Sequence, residues 1–220
     1  MMARQRRART SQFTTTAKSL HWIVAFFTFS VLWAALPFSF LDPADRAEAI
    51  PAHASVGLII LMLTFVRLGW RAVSPPPAHP KGSPGWSAIG AKVGHWLLFA
   101  LLLWQATLGL WMAASSPVDI RFFNDFDISA LAPANPNLIA IIRPLHYWGA
   151  WLFTLVLIGH VLGALWHHFV ARDDVLIRML PFGGLWQRMS DRGQPPAWRM
   201  PTRNGFAWPK GKRESWFERV

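Results

Sequence analysis

The stretch LHYWGAWLFTLVLIGHVLGALWHHFV, Leu145–Val170, decides the fold. It contains no Asp, Glu, Lys or Arg, over more than the about 20 apolar residues that a helix needs to cross a hydrocarbon core roughly 30 Å thick. It also places two imidazoles, His146 and His160, fourteen residues apart. At about 1.5 Å and about 100° per residue, that spacing separates them by about 21 Å in depth and returns them to within about 40° of one helix face. Burying an imidazole against lipid is costly, so histidines at membrane depth mark a functional site. A membrane helix that turns two of them to one side at two depths asks what faces them.

Three further stretches have the same length and apolarity: Leu20–Leu41, Ala52–Val73 and Val93–Ala114. Among the four, only Ala52–Val73 carries ionised side chains, Arg67 and Arg71, toward its end where long cationic side chains snorkel to the headgroups. Apolar residues are 53% of the chain and charged residues 15%, which is too little charge for a soluble domain of 220 residues. The sequence therefore predicts an all-α fold, an integral membrane four-helix bundle. The first apolar run is too long for a cleaved signal peptide and has no small-residue cleavage site after it.

The net charge of +11 would suggest nucleic acid in a soluble protein. Its distribution gives a different reason. Nineteen of the 22 Lys and Arg lie before the first run, in the connection between the second and third with its margins (Arg67 and Arg71 included), or after the fourth. Only Arg46, Arg121 and Arg143 lie in the two remaining connections. This is the positive-inside asymmetry of a multi-pass membrane protein, with both termini cytoplasmic and an even number of spans. The partner it implies is the lipid bilayer, not nucleic acid.

The chain thus divides into a basic cytoplasmic arm (1–19), a transmembrane domain (20–180) and a basic tail (181–220) in which Trp186, Trp198, Trp208 and Trp216 suit an anionic inner leaflet. The connector after the second span holds Ser74-Pro75-Pro76-Pro77 and Gly82-Ser83-Pro84-Gly85, which cannot continue a helix. The second outer connection, Ser115–Pro144, shows no periodic pattern over about 30 residues, a length that signals a functional cap. Asp173–Leu180 reads as a short interfacial helix.

Eight histidines occur, and their depths are informative. His21 opens the first run on the inner side, His53 opens the second and His146 the fourth on the outer side, and His160 lies deep in the fourth. Two pairs result: His53 with His146 outside, and His21 with His160 inside. Facing imidazoles at matched depth are what a six-coordinate haem requires, with a greasy slot between helices for the macrocycle. A lone histidine in such a place is more often a hydrogen-bonded core residue; four at matching depths and faces reverse that expectation. Zinc fits less well, because the two levels are too far apart for one four-ligand site and the spans offer no Cys, Asp or Glu. With no cysteine, covalent attachment of a c-type haem is excluded. His95 opens the third run on the inner side and is an alternative partner for His160. Lys18, Arg67, Arg71 and Arg143 lie at depths where haem carboxylates could meet them.

In order and spacing, several short motifs resemble the bacterial cytochrome b561 family, relatives of the b-type cytochrome subunits of hydrogenases. They are Leu20-His21-Trp22, Ala52-His53-Ala54-Ser55-Val56-Gly57, Phe65-Val66-Arg67-Leu68, Gly94-His95-Trp96-Leu97-Leu98, Pro144-Leu145-His146, Gly159-His160 and Leu176-Ile177-Arg178-Met179-Leu180-Pro181. The resemblance covers about residues 13–181. It implies a four-helix cytochrome with two haem b, the iron ligands falling on His21, His53, His146 and His160. It also implies ubiquinone as substrate near a histidine at the inner end, a position that His167 fills seven residues after His160. An imidazole there can deliver a proton to a quinone, since it titrates near neutrality; the alternative is an interfacial side chain bonded to headgroups and water.

Two haems across a membrane make an electron path, and the chain is expected to act as an electron-transfer oxidoreductase. The resemblance implies exchange with the ubiquinone pool and, in one branch, oxidation of superoxide at the periplasmic face. Six acids against three bases in the outer connections work against steering that anion. A membrane anchor for a periplasmic dehydrogenase or hydrogenase, docked on the long outer connection, is the second reading. A histidine-based metal permease is the third.

Overall fold

The computed structural model describes residues 13–77, 85–123 and 125–183. Most of the basic arm, the connector with His79, and the Trp-rich tail lie outside the described residues.

Four long helices form, and three have an N-terminal cap that fixes where they begin. Helix α1 is Thr15–Ala35; Thr14 Oγ1 accepts from the amide of Ala17 at 3.2 Å. Helix α2 is Pro43–Val73; Asp42 accepts from the amides of Ala44 and Asp45, both at 2.9 Å, and Pro43 opens the first turn, where a missing N–H costs nothing. Helix α3 is Gly85–Ala114. Helix α4 is Pro136–Trp166, capped by Asn135 Oδ1 on the amide of Leu138 at 3.0 Å. All four are long and apolar enough to cross a membrane. Consecutive helices pack on one another, and the outward faces carry exposed Phe26, Trp33 and Leu155, as lipid contact requires.

Helices α2, α3 and α4 begin well before the apolar runs do: at Pro43, Gly85 and Pro136 rather than Ala52, Val93 and Leu145. An apolar run measures the stretch in hydrocarbon, whereas a helix continues until a cap or breaker ends it. His53 and His146 therefore sit well inside their helices, each two residues after a helix-interior proline, Pro51 or Pro144. Ser55 Oγ donates to the Pro51 carbonyl at 2.8 Å.

The second outer connection is correspondingly shorter, and it is folded. Residues 115–135 form a cap with a small antiparallel hairpin, β1 (Arg121–Phe122) against β2 (Phe126–Asp127), followed by a 3-10 turn at Ser129–Leu131. Its core is Ile120 and Ile128, packed with Ala113 of α3 and with Ala54 and Leu58 of α2. Asp127 accepts from the Ser129 hydroxyl at 2.6 Å and the Ser129 amide at 2.9 Å, and these bonds hold its carboxyl below the ordinary carboxylate range. The cap is tied to α2 by Ser55, whose hydroxyl accepts from the amide of Phe123 at 3.1 Å. Phe123 itself sits at φ 47°, a left-handed conformation that a bulky residue adopts only when its surroundings hold it there.

At the other end α4 runs into a π-turn, His167–Ala171, closed by Arg172 at φ 53°. A short helix α5, Val175–Met179, follows within the segment expected to be interfacial. Trp22 Nε1 on α1 donates to the Met179 carbonyl at 2.9 Å, fastening this segment to the bundle.

Ser55→Ala removes the acceptor for the Phe123 amide, and an amide left without a partner costs about 1–3 kcal/mol. The variant is expected to expose Arg121 to trypsin faster than wild type in detergent, with the bundle's melting temperature little changed.

Candidate cofactor sites

Helix α4 supplies one imidazole at each of two levels. At the first, His146 faces His53 of α2, with ring centroids 6.3 Å apart and planes at 78°. At the second, His160 faces His21 of α1, with centroids 6.4 Å apart and planes at 64°. Two imidazoles that bind one metal from opposite sides, each about 2 Å from it, have ring centres roughly 6 Å apart. Both pairs have that spacing. His95 of α3 lies nearer to His160, at 5.2 Å, which is short for such a pair.

The surroundings of the first level are nearly free of polar contacts. Phe38 packs against His53, with ring centroids 5.4 Å apart and planes tilted at 49°. The Nδ1 atoms of His53 and His146 are both buried without a hydrogen-bond partner. What suits this pair to ligate a metal through Nε2 is its facing geometry. Gly109 of α3 leaves room here: a Cβ on it would lie 3.3 Å from His146 Cε1. Gln105, buried in the middle of α3, donates to the His146 carbonyl at 3.0 Å and fixes α3 against α4 at this depth.

The second level is polar. Its three histidines share a cavity, with about 530 Å³ of empty space, with Arg67, Phe99 and the buried hydroxyl of Thr28. Thr28 Oγ1 has no hydrogen-bond partner. Arg67 Nη2 lies 2.8 Å from His21 Nδ1, and its guanidinium sits over the Phe99 ring at 4.9 Å. One turn on, Arg71 lies over Trp96 at 5.5 Å and Phe99 at 5.9 Å. Lys18 is buried and Arg143 is exposed.

His167 is not the surface imidazole of the sequence reading. It is 7% exposed, and its Nδ1 lies 2.6 Å from Asp173 Oδ2. The π-turn brings this about: it carries the chain round so that the Asp173 amide donates to the His167 carbonyl at 3.0 Å and the carboxylate closes on the ring. The other Asp173 oxygen accepts from the amide of Val175 at 3.0 Å and opens α5.

The fit to haem is good at both levels. The chain offers two opposed imidazole pairs, aromatic walls and small residues between helices, and nothing covalent. Gln105 and Asp173 were not found from the sequence. Gln105 was visible there as the one amide in an apolar run; Asp173 gave no signal, since its partner depends on a π-turn.

The sequence model of the family described as prokaryotic cytochrome b561 matches residues 12–182. Cytochrome b561 homolog 2 of Escherichia coli (strain K12) is 30% identical over 167 residues, which is 74% of this chain and 87% of that protein. Cytochrome b561 homolog 1 of the same organism is 26% identical over 174 residues, 78% of this chain and 98% of the relative. A probable superoxide oxidase CybB of Yersinia pestis is 29% identical over 168 residues, 74% of this chain and 92% of its own length. The chain belongs to the prokaryotic cytochrome b561 family, helical membrane proteins that hold b-type haem and transfer electrons.

Proposed function

We propose that this chain is a di-haem cytochrome of the bacterial inner membrane that passes electrons from a periplasmic donor to ubiquinone. The observation that carries the reading is the pair of opposed histidines at two levels, 6.3 and 6.4 Å between centroids. His53 and His146 hold the outer haem, and His21 and His160 the inner one. Both termini are cytoplasmic, since nineteen of 22 Lys and Arg fall on that side. The domain 20–180 does the chemistry, between the basic arm 1–19 and the tail 181–220.

Bound there, haem supplies a one-electron carrier at each level. The protein's own work is to hold and to exclude. Helix α4 sets the distance between levels, about 21 Å along its axis at 1.5 Å per residue. The cap over the His53 level keeps its apolar core on α2 and α3. Reduction of quinone takes up protons as well as electrons, so it needs a proton-bearing group near the inner end. His167, held at Nδ1 by Asp173, is that group.

The relative named as a probable superoxide oxidase supports superoxide as the donor. The cap favours a second reading, a docked protein: it presents exposed Asp119 and Asp125 beside exposed Val118, Phe123 and Leu131. An acidic rim around apolar contacts repels an anion and suits a protein partner with a basic face, such as a periplasmic dehydrogenase or hydrogenase for which this chain is the membrane anchor. The metal permease is disfavoured: among the described residues no three His, Cys, Asp or Glu converge as a metal-ion site.

Purified protein is expected to carry two haems per chain, extractable by acid acetone. His53→Ala and His146→Ala should remove the same one, and His21→Ala and His160→Ala the other. A single haem per chain, or an inner haem lost with His95→Ala and kept with His21→Ala, contradicts the assignment. For the quinone end, pre-reduced haems are mixed with a soluble ubiquinone analogue. Reoxidation by the His167→Ala variant should slow by roughly 100-fold, the usual scale for a lost proton donor, and Asp173→Asn should slow it less. Equal rates for wild type and His167→Ala would remove His167 from the reaction.

A further inference from the structure

We propose that Arg67 and Arg71 form an anion seat behind the inner histidine cavity, which takes the carboxylates of the haem held between His21 and His160; Arg67 leaves His21 to do so. The inference rests on the ligand assignment above and concerns a different part of the site.

The starting observation is a conflict of donors. A neutral imidazole that binds iron through Nε2 carries its hydrogen on Nδ1, and is a donor there. A guanidinium has five donors and no acceptor. Yet Arg67 Nη2 lies 2.8 Å from His21 Nδ1, a contact that requires Nδ1 to accept. The contact and ligation through Nε2 exclude each other. With iron bound, Arg67 must find another partner, and among the described residues no Asp or Glu lines either cavity that Arg67 borders.

The place for that partner is present. Arg67 and Phe99 form the wall between the histidine cavity and a second, smaller one of about 370 Å³ of empty space. Among the described residues the second cavity is lined by Arg71, Trp70, Phe13 and Met179, and by no acidic side chain. Two guanidiniums side by side in an aromatic pocket repel each other and are poorly hydrated, a cost that a bound anion removes. Haem is an apolar plate with two carboxylates at one edge. Its plate matches the first cavity and its edge the second, with Arg67 turning from one to the other. Nothing comparable stands at the His53 level, where the imidazole Nδ1 atoms have no partner at all.

The test uses intact protein in detergent. Redox titration of wild type, Arg67→Gln, Arg71→Gln and the double variant, followed at the haem bands, should show the potential of one haem falling in the variants. A cation beside haem favours the reduced form. The expected change is tenfold or more in the reduction equilibrium, about 59 mV for one electron, with the other haem unmoved. Arg67→Lys should restore much of the shift. Membranes from haem-deficient cells, reconstituted with haem or its dimethyl ester, give a second measurement. Wild type should prefer the free acid at least tenfold at the His21 level, and the double variant should not discriminate. Equal potentials together with equal ester discrimination in wild type and double variant overturn the seat. If His21→Ala and His160→Ala both keep two haems, the ligand assignment fails first, and the two failures are told apart.

Discussion

Everything in this fold follows from four imidazoles placed inside a bundle that lipid surrounds. A bilayer core offers no water, so each backbone group must be satisfied within a helix and each polar side chain within the protein. Helices α1 to α4 meet the first demand on their own. The second makes polar side chains at membrane depth a mark of function, and here imidazoles stand opposed at two levels, 6.3 and 6.4 Å between centroids. The bundle is a scaffold for the group it binds, and b-type haem is the one the family carries.

The two levels are built differently from the same helix. The first is closed and apolar, with Phe38 on His53, Gly109 making room beside His146, and Gln105 pinning α3 to α4. The second is polar, with three histidines and Arg67 around one cavity. A buried cation near a redox centre favours its reduced state, while an apolar surround favours the state of lower charge. The same sequence thus gives the two histidine levels unequal electrostatic surroundings. The cap at one end and the His167–Asp173 pair at the other give each level its own boundary.

Much of this could be read from the sequence. The spacing from His146 to His160 fixed their common face, and the depths of His21 and His53 gave partners that the fold does bring opposite them. Helix starts could not be read from hydropathy, because Asp42 and Asn135 cap helices that extend beyond the hydrocarbon. The cap was legible from the length of its connection, but its fold was not, because two-residue strands carry no alternation and its anchor is a single hydroxyl on Ser55. The seven-residue spacing puts His167 on the face of His160, but the closure of Asp173 on its ring follows from a π-turn that no periodicity contains. Arg67 was expected to meet haem carboxylates or to serve topology; its contact with His21, 46 residues away in the chain, depends on how two helices pack.

The central claim is that each level holds one iron between two histidines. Electron paramagnetic resonance of the air-oxidised protein tests it most directly, because spin state reports the axial ligands without any variant. The account predicts two distinct low-spin ferric signals that integrate to two per chain, with no high-spin component. A single low-spin signal integrating to one, or a substantial high-spin signal from an iron lacking its second histidine, would contradict it.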